Sequence, residues 1–252
     1  MEHTFEQERV LIGQGRMAKV YHWNGFAYKC FDSNYSKDWI TYEMKIQNVI
    51  KELNLKTVNY YTSEIPHSIK MDYINGITLA DRVVKEKYKN GIEDLLFVQL
   101  KIHENRNVDL PKLKPNLINH FNKYDGEQVQ KELAIQYIME IEDKDNLCHL
   151  DFHYLNLMYA ENEYFIIDWI NAKLGNPVFD FARTYVILYQ HANRASKKYL
   201  TLVKKLKAFS LKELQKAIYV MAVHRLAEDS SDKVKRLINV TYESLMEDVN
   251  TN

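Results

Sequence analysis

The stretch that most constrains the fold is His149-Leu150-Asp151-Phe152-His153-Tyr154-Leu155-Asn156, followed closely by Tyr164-Phe165-Ile166-Ile167-Asp168-Trp169. The first part carries a carboxylate and a carboxamide on one loop. The second is a short apolar run that ends on an acid, as a buried strand does where it reaches an open edge. The β-like character between Leu147 and Trp169 is flanked by long segments of helical periodicity, so the chain must be a mixed α and β fold. Two plainer readings stay open for these residues alone. Asp151 and Asp168 can be ordinary loop acids. His149, Asp151 and His153 alternate and can share a strand face as zinc ligands, although no further Cys or His stands at matching spacing.

Before this region the chain reads as β-rich with one helix. Strands are predicted over Glu8–Gly13, Lys19–Trp23 and Phe26–Phe31. Asn24-Gly25 joins the last two, and both residues suit a tight hairpin with positive φ. A helix is predicted over Ser36–Leu53 with Ser36 as its N-cap, then strands over Thr57–Thr62 and Ser68–Ile74. After Asn75-Gly76 the pattern turns helical over Thr78–Tyr88, Ile92–Glu104 and Glu127–Glu142. Another helix begins at Pro177, with Asn176 to cap it. The expected architecture is α+β and two-lobed. Residues 1–76 form a small lobe of antiparallel sheet and one helix, residues 77–252 form a mainly helical lobe, and a cleft lies between them.

Phosphoryl transfer needs a carboxylate to orient the acceptor hydroxyl and oxygen ligands for a metal ion that neutralises phosphate charge. The spacing of Asp151, Asn156 and Asp168 matches that need. Upstream, Gly13-Gln14-Gly15-Arg16-Met17-Ala18 lies between two strands, where glycines let the backbone approach phosphates; it can equally be only a tight turn. Lys29 lies mid-strand, either as an edge residue or as a phosphate ligand. In the following helix Trp39, Glu43, Ile46, Ile50 and Leu53 form one stripe. A carboxylate there is costly without a partner. Lys29 is the obvious partner for Glu43, unless Glu43 sits at the wet edge of the stripe.

His-Leu-Asp-Phe-His-Tyr-Leu-Asn-Leu from His149, with Ile-Ile-Asp-Trp-Ile-Asn-Ala-Lys-Leu-Gly-Asn-Pro-Val-Phe-Asp-Phe-Ala-Arg ending at Arg183, resembles the aminoglycoside phosphotransferase and choline kinase-like family. That family's pattern is HGDxHxxNxL followed by hhDWxxAxxGxPxxDhA. The resemblance extends to the glycine loop, Lys29, Glu43 and Met71–Gly76, and it implies the protein kinase-like fold. It also implies ATP and Mg2+ as cofactors, with Asp151 as catalytic base and Asn156 and Asp168 as metal ligands. Lys29 would hold phosphate, with Glu43 as its partner. The nucleotide would lie near Gly13, Gly15 and the hinge residues Asp72, Tyr73 and Ile74, with Val20 and Ala27 covering the adenine faces. His149 would orient the loop backbone and Asp180 would brace it. Three positions depart from the pattern: Leu150 replaces a glycine, Tyr154-Leu155 replaces Pro-Gly, and Asn176 replaces a frequent aspartate.

The implied function is transfer of the γ-phosphate of ATP to a hydroxyl of an aminoglycoside-, choline- or amino-sugar-like small molecule. The alternative is a kinase-like nucleotide-binding regulatory module without turnover. Lys+Arg and Asp+Glu are both 34, which argues against a dedicated nucleic-acid binder. Met1–Arg9 is polar, and no apolar run is long enough to span a membrane, so the cytoplasm is the expected location. Cys30 and Cys148 are far apart and read as free thiols. Two acidic groups, Glu228/Asp229/Asp232 and Glu243/Glu247/Asp248, could receive a cationic acceptor or be solvated helix ends. The lysine-rich segment from Arg194 to Lys216 could bind anions or simply face solvent.

Overall fold

The computed structural model describes residues 4–250, with side chains as far as residue 247. Residues 1–3 of the polar N-terminal stretch and the side chain of Asp248 lie outside the described residues. The chain forms two compact units. One joins the chain up to Asp81 with Leu155–Ile170; the other joins Arg82–Tyr154 with the chain from Asn171 onward.

The first unit is built on a five-stranded antiparallel sheet. Its strands are β1 (Val10–Gln14), β2 (Ala18–Trp23), β3 (Phe26–Phe31), β4 (Tyr60–Tyr61) and β5 (Ser68–Asp72), in the order β1-β2-β3-β5-β4. The β2–β3 hairpin turns at Asn24 and Gly25, with φ of 47° and 78°, as an Asn-Gly turn requires. A single helical turn, α1 (Phe5–Glu8), precedes β1. The first strand therefore starts later than the expected Glu8, because Phe5 is pulled into an aromatic group with Tyr21, Trp23 and Tyr28. Helix α2 (Lys37–Ile50) starts at Ser36, whose hydroxyl accepts from the Asp38 N–H. Glu43, Ile46 and Ile50 of its expected stripe are buried; Trp39, at its start, is exposed. The expected strand from Thr57 shortens to Tyr60–Tyr61, because Thr57 is used elsewhere: its hydroxyl donates to the Ile166 carbonyl at 2.8 Å.

Strand β6 (Ile77–Thr78) completes a second sheet with β8 (Leu157–Ala160) and β9 (Glu163–Ile166), in the order β6-β8-β9. Gly76 is needed where this sheet closes, since a Cβ there would stand 2.4 Å from the Tyr159 carbonyl oxygen. Helix α3 (Leu79–Lys85) follows β6.

The second unit is helical apart from β7 (Asn146–Cys148) and β10 (Lys173–Gly175), an antiparallel pair. Its helices are α4 (Gly91–His103), α5 (Leu113–Lys123), α6 (Gln128–Glu140), α7 (Pro177–His191), α8 (Asn193–Lys205), α9 (Leu211–Glu228) and α10 (Asp232–Asn250). Helix α7 is the core element, with Val178, Phe179, Phe181, Ala182 and Val186 buried, and it packs on α8 and α9. Asn176 caps it, accepting from the Val178 N–H at 3.0 Å, and Pro177 occupies its first turn. Helix α5 escaped the sequence reading. Its Pro115 looks like a breaker but falls in the first turn, where an N–H has no helical partner to lose, and Leu113, Leu117 and Phe121 carry the buried face. Cys30 and Cys148 are free thiols. Among the described residues no helix is long and apolar enough to cross a membrane.

Candidate active site

In the first unit three of the expected residues meet. Lys29 enters from β3, Glu43 from the buried face of α2, and Asp168 from the chain just after β9. The Lys29 Nζ is 2.8 Å from Glu43 Oε1 and 3.0 Å from Asp168 Oδ1. The plainer reading of Glu43 is thus set aside: its side chain is buried, and Tyr60 OH donates to the same Oε1 at 3.0 Å. Burial opposes the charge on Lys29, but Asp168 and Glu43 together outweigh it and hold its pKa above the usual lysine value. Burial raises the Glu43 carboxyl, against the pull of Lys29.

Asp168 takes a left-handed backbone, φ 64°, which short polar side chains tolerate. The chain on either side is pinned. The Trp169 indole N–H donates to the Ile166 carbonyl and to Thr57 Oγ1, both at 3.2 Å. The Ile167 N–H donates to the backbone carbonyl of Asn156 at 3.1 Å, so Asn156 lies alongside the strand end that leads to Asp168.

The glycine loop is a tight β1–β2 connection closed by the Gly15 N–H on the Ala18 carbonyl at 2.9 Å. An added Cβ at Gly13 or Gly15 would meet its nearest atom at 3.6 or 3.7 Å, so the fold itself does not demand glycine at either position. Val20 faces Lys29 across the β2–β3 ladder, and Ala27 is buried between His22 and Met71. The Asp72 carboxylate accepts from the Asn59 N–H at 2.9 Å and from Tyr61 OH at 2.8 Å. Tyr73 lies against the His22 ring, and Ile74 packs on the cluster of Phe31, Val58, Tyr60 and Ile69.

In the second unit Asp151 sits on a heavily braced loop. Its N–H donates to His149 Nδ1 at 3.3 Å. Leu150 has φ 63°, the left-handed conformation that a glycine would take without strain. Both peptide groups of Leu150 are gripped to hold it there. Its N–H donates to Asp180 Oδ1 at 2.6 Å, and its carbonyl accepts from Arg183 Nε at 3.1 Å. Asp180 is fully buried, and its other oxygen meets His103 Nε2 at 2.7 Å and accepts from Gln99 Nε2 at 3.1 Å. The Phe152 carbonyl accepts from Thr184 OH at 2.9 Å. His153 Nε2 is 3.7 Å from Asp151 Oδ2. Burial would raise the Asp151 carboxyl, but His153, Arg183 and His149 outweigh it and hold its pKa below the usual value.

Sequence reasoning assigned no role to Gln99, His103, Arg183 or Thr184. His103 and Gln99 fall on the α4 stripe at helical spacing among apolar neighbours, and that buried polar pair was the available signal. The first acidic group is not a joint anionic surface: Glu228 is bonded to Arg183 at 2.6 Å and to Arg225 at 2.8 Å, Asp229 accepts from Gln190, and Asp232 points into solvent. In the basic segment Lys198 pairs with Glu93 at 2.6 Å and Lys216 with Glu140. Among the described residues no group of three or more His, Cys, Asp or Glu is placed to hold a metal ion.

Asp180→Ala is expected to cost about 3 kcal/mol in urea unfolding, because it strands the Leu150, Gln99 and His103 partners in the interior. Burial raises the Asp180 carboxyl, but His103, His149 and Gln99 hold its folded pKa below the usual carboxylate value. The contribution is therefore full above about pH 4 and fades as pH falls through the folded pKa. An Asp180→Ala stability curve should run parallel to wild type at neutral pH and close on it in acid.

Residues 95–198 match the model of the phosphotransferase enzyme family. No curated protein matches the sequence. Among solved structures, choline kinase LicA from Streptococcus pneumoniae aligns at 14% identity over 94% of this chain and 92% of its own, with a TM-score of 0.61. Aminoglycoside phosphotransferase APH(4)-Ia aligns at 11% identity over 95% and 93%, with a TM-score of 0.65. A choline/ethanolamine kinase family protein from Mesorhizobium loti aligns at 11% over 95% and 87%, with a TM-score of 0.58. At these identities the structures establish the fold, an N-terminal antiparallel sheet with a helical C-terminal part. The family match covers the segment from α4 to α8, which includes the braced Asp151 loop and Asp168. Fold and matched segment agree with the motif reading: over residues 95–198 the chain is similar to the phosphotransferase enzyme family, and its fold is that of choline kinase LicA and APH(4)-Ia.

Proposed function

We propose that this protein is a cytoplasmic kinase that transfers the γ-phosphoryl group of ATP, bound with Mg2+, to a hydroxyl of a small molecule. The observation that carries this reading is the Lys29 ammonium held between Glu43 and Asp168. A buried carboxylate that fixes a lysine beside a second, half-exposed carboxylate is an arrangement suited to receiving phosphate and metal together. The nucleotide residues are Gly13, Gly15, Val20, Ala27, Lys29, Glu43 and the main chain of Asp72, Tyr73 and Ile74.

Asn156 and Asp168 would hold Mg2+. One amide and one carboxylate make an incomplete oxygen shell, of the kind that phosphate oxygens and water complete around this ion. The bound Mg·ATP would supply the phosphoryl group and the neutralising charge. Lys29 binds and orients phosphate through its Nζ. Asp151, kept ionised by its neighbours, orients the acceptor hydroxyl and takes its proton at a carboxylate oxygen. The Asp180 and Arg183 grips on Leu150 keep that carboxylate in place. The starting range of acceptors comes from the similar proteins: one is named a choline kinase, and APH(4)-Ia has been solved with ADP and hygromycin B. Aminoglycoside-, choline- and amino-sugar-like compounds are the first to screen.

The nucleotide assignment is tested by calorimetry with Mg·ATP. Gly15→Ala should leave the melting temperature unchanged, since its Cβ meets ordinary contacts, yet weaken Mg·ATP by about tenfold, or about 1.4 kcal/mol, through crowding the phosphates. Lys29→Ala should weaken it at least as much. Wild-type affinity in both variants would remove the nucleotide from this loop.

A further inference from the structure

We infer that the Tyr35 hydroxyl is a further phosphate ligand, donating a hydrogen bond to an oxygen of the β- or γ-phosphate of the nucleotide that Lys29 holds. This rests on the phosphotransferase reading and adds a residue to its nucleotide site.

Tyr35 lies in the first unit, in the short loop between the end of β3 at Phe31 and the start of α2 at Lys37. The loop turns at Asp32, whose carbonyl accepts from the Tyr35 N–H at 2.9 Å. That turn brings the Tyr35 ring back onto Phe31, with centroids 4.7 Å apart and planes 10° from parallel. The ring also packs on the cluster of Phe31, Val58, Tyr60 and Ile69. Stacking uses the faces of a tyrosine ring, so the polar tip at its edge is left for a partner outside the stack.

Phe31 ties Tyr35 to the phosphate end of the proposed site from two sides. Across the β2–β3 ladder Phe31 pairs with Ala18, whose carbonyl closes the glycine loop by accepting from the Gly15 N–H at 2.9 Å. Lys29 stands two residues earlier on the same strand, hence on the same face, with its Nζ 5.5 Å from the Phe31 ring centroid. The glycine loop, Lys29 and Tyr35 thus converge on one ring. The same cluster also receives Met44, next to Glu43, and Ile167, next to Asp168. The phenol is accordingly within electrostatic reach of Glu43, Lys29 and Asp168 together.

The two tyrosines of the cluster differ in what their hydroxyls do. Tyr60 is buried, and its OH donates to Glu43 Oε1 at 3.0 Å. Tyr35 is half-buried, and its hydroxyl makes no hydrogen bond among the described residues. Burial, with Glu43 and Asp168, outweighs Lys29 and raises its pKa above the usual tyrosine value, so at neutral pH it remains an O–H donor. The site is short of such donors. The Lys29 ammonium donates to Glu43 at 2.8 Å and to Asp168 at 3.0 Å, which leaves one N–H for phosphate. A terminal phosphate brings several acceptor oxygens and needs more than that one. Tyr35 supplies a donor on a ring already fixed by its stack, so little freedom is lost when it binds.

The test is calorimetric titration of the full chain, wild type and Tyr35→Phe, with Mg·ATP and with AMP, which has neither the β- nor the γ-phosphate. Tyr35→Phe keeps the ring stack and loses only the oxygen, so its melting temperature should equal that of the wild type. Its Kd for Mg·ATP should rise about tenfold, the usual size for a hydrogen bond to a charged group. Its Kd for AMP should stay at the wild-type value. Wild-type affinity of Tyr35→Phe for Mg·ATP, or an equal loss for AMP, would overturn the inference. A variant that melts clearly lower or does not fold would overturn it too, by making the hydroxyl a structural donor. Where AMP binds too weakly to titrate, the Mg·ATP ratio at unchanged melting temperature decides alone. A wild type that does not bind Mg·ATP would remove the phosphotransferase reading and this ligand with it, whereas wild-type binding that Tyr35→Phe leaves intact removes the ligand alone.

Discussion

Asp151→Asn should lower kcat by about 10²–10⁴-fold once an acceptor is in hand, the usual contribution of a positioned acid–base group. The substitution keeps size and loses only the ability to take a proton. The loop should survive it, because its fixed points are the Asp151 backbone N–H on His149 and the Leu150 peptide groups on Asp180 and Arg183. Mg·ATP affinity should change little, since no nucleotide residue touches Asp151 in this assignment. The pH profile adds a second readout. A base works while ionised, and the Asp151 carboxyl is held below the usual carboxylate value, so kcat should not begin its acid fall until below about pH 4. A loss under tenfold with chemistry rate-limiting would remove Asp151 from the base role, and a loss of ATP binding would make the loop structural.

Asp168→Asn should lower turnover by about 10³-fold and remove its ordinary response to added Mg2+. The change acts twice. It takes an anionic oxygen from the proposed metal shell, which an amide oxygen replaces poorly. It also deletes one of the two carboxylates on Lys29, leaving the ammonium to Glu43 alone. Asn156→Ala should give a smaller loss of the same kind. A Mg2+ titration of initial rate separates the two effects: a weakened metal site can be partly rescued by excess Mg2+, whereas misplacement of Lys29 cannot. Wild-type magnesium dependence in Asp168→Asn would rule out its metal role.

Much of this arrangement could be read from the chain because local rules and the fold agree there. Asn24-Gly25 sets the β2–β3 turn, so Lys29 falls at a known register, and the period of α2 places Glu43 on its buried face. Asn176-Pro177 marks the start of α7 in the same way. The sequence is silent where the determining contact is tertiary. Leu150 gives no hint of a left-handed backbone, because the residue type that favours that conformation is missing and the grip comes from Asp180 and Arg183, far along the chain. Glu228 and Asp229 look like an acidic patch in sequence and become ion-pair and hydrogen-bond partners only once α7 and α9 are packed.

The most direct measurement is transfer of label from γ-labelled ATP to a small molecule. The full chain is incubated with Mg2+, labelled ATP and a deproteinised small-molecule extract, and the products are resolved by chromatography. The wild type should produce a labelled small phosphate ester that Asp151→Asn and Asp168→Asn do not produce at the same ATP occupancy. A wild type that binds Mg·ATP but yields no labelled ester beyond that of the two variants would contradict phosphoryl transfer to a small-molecule hydroxyl.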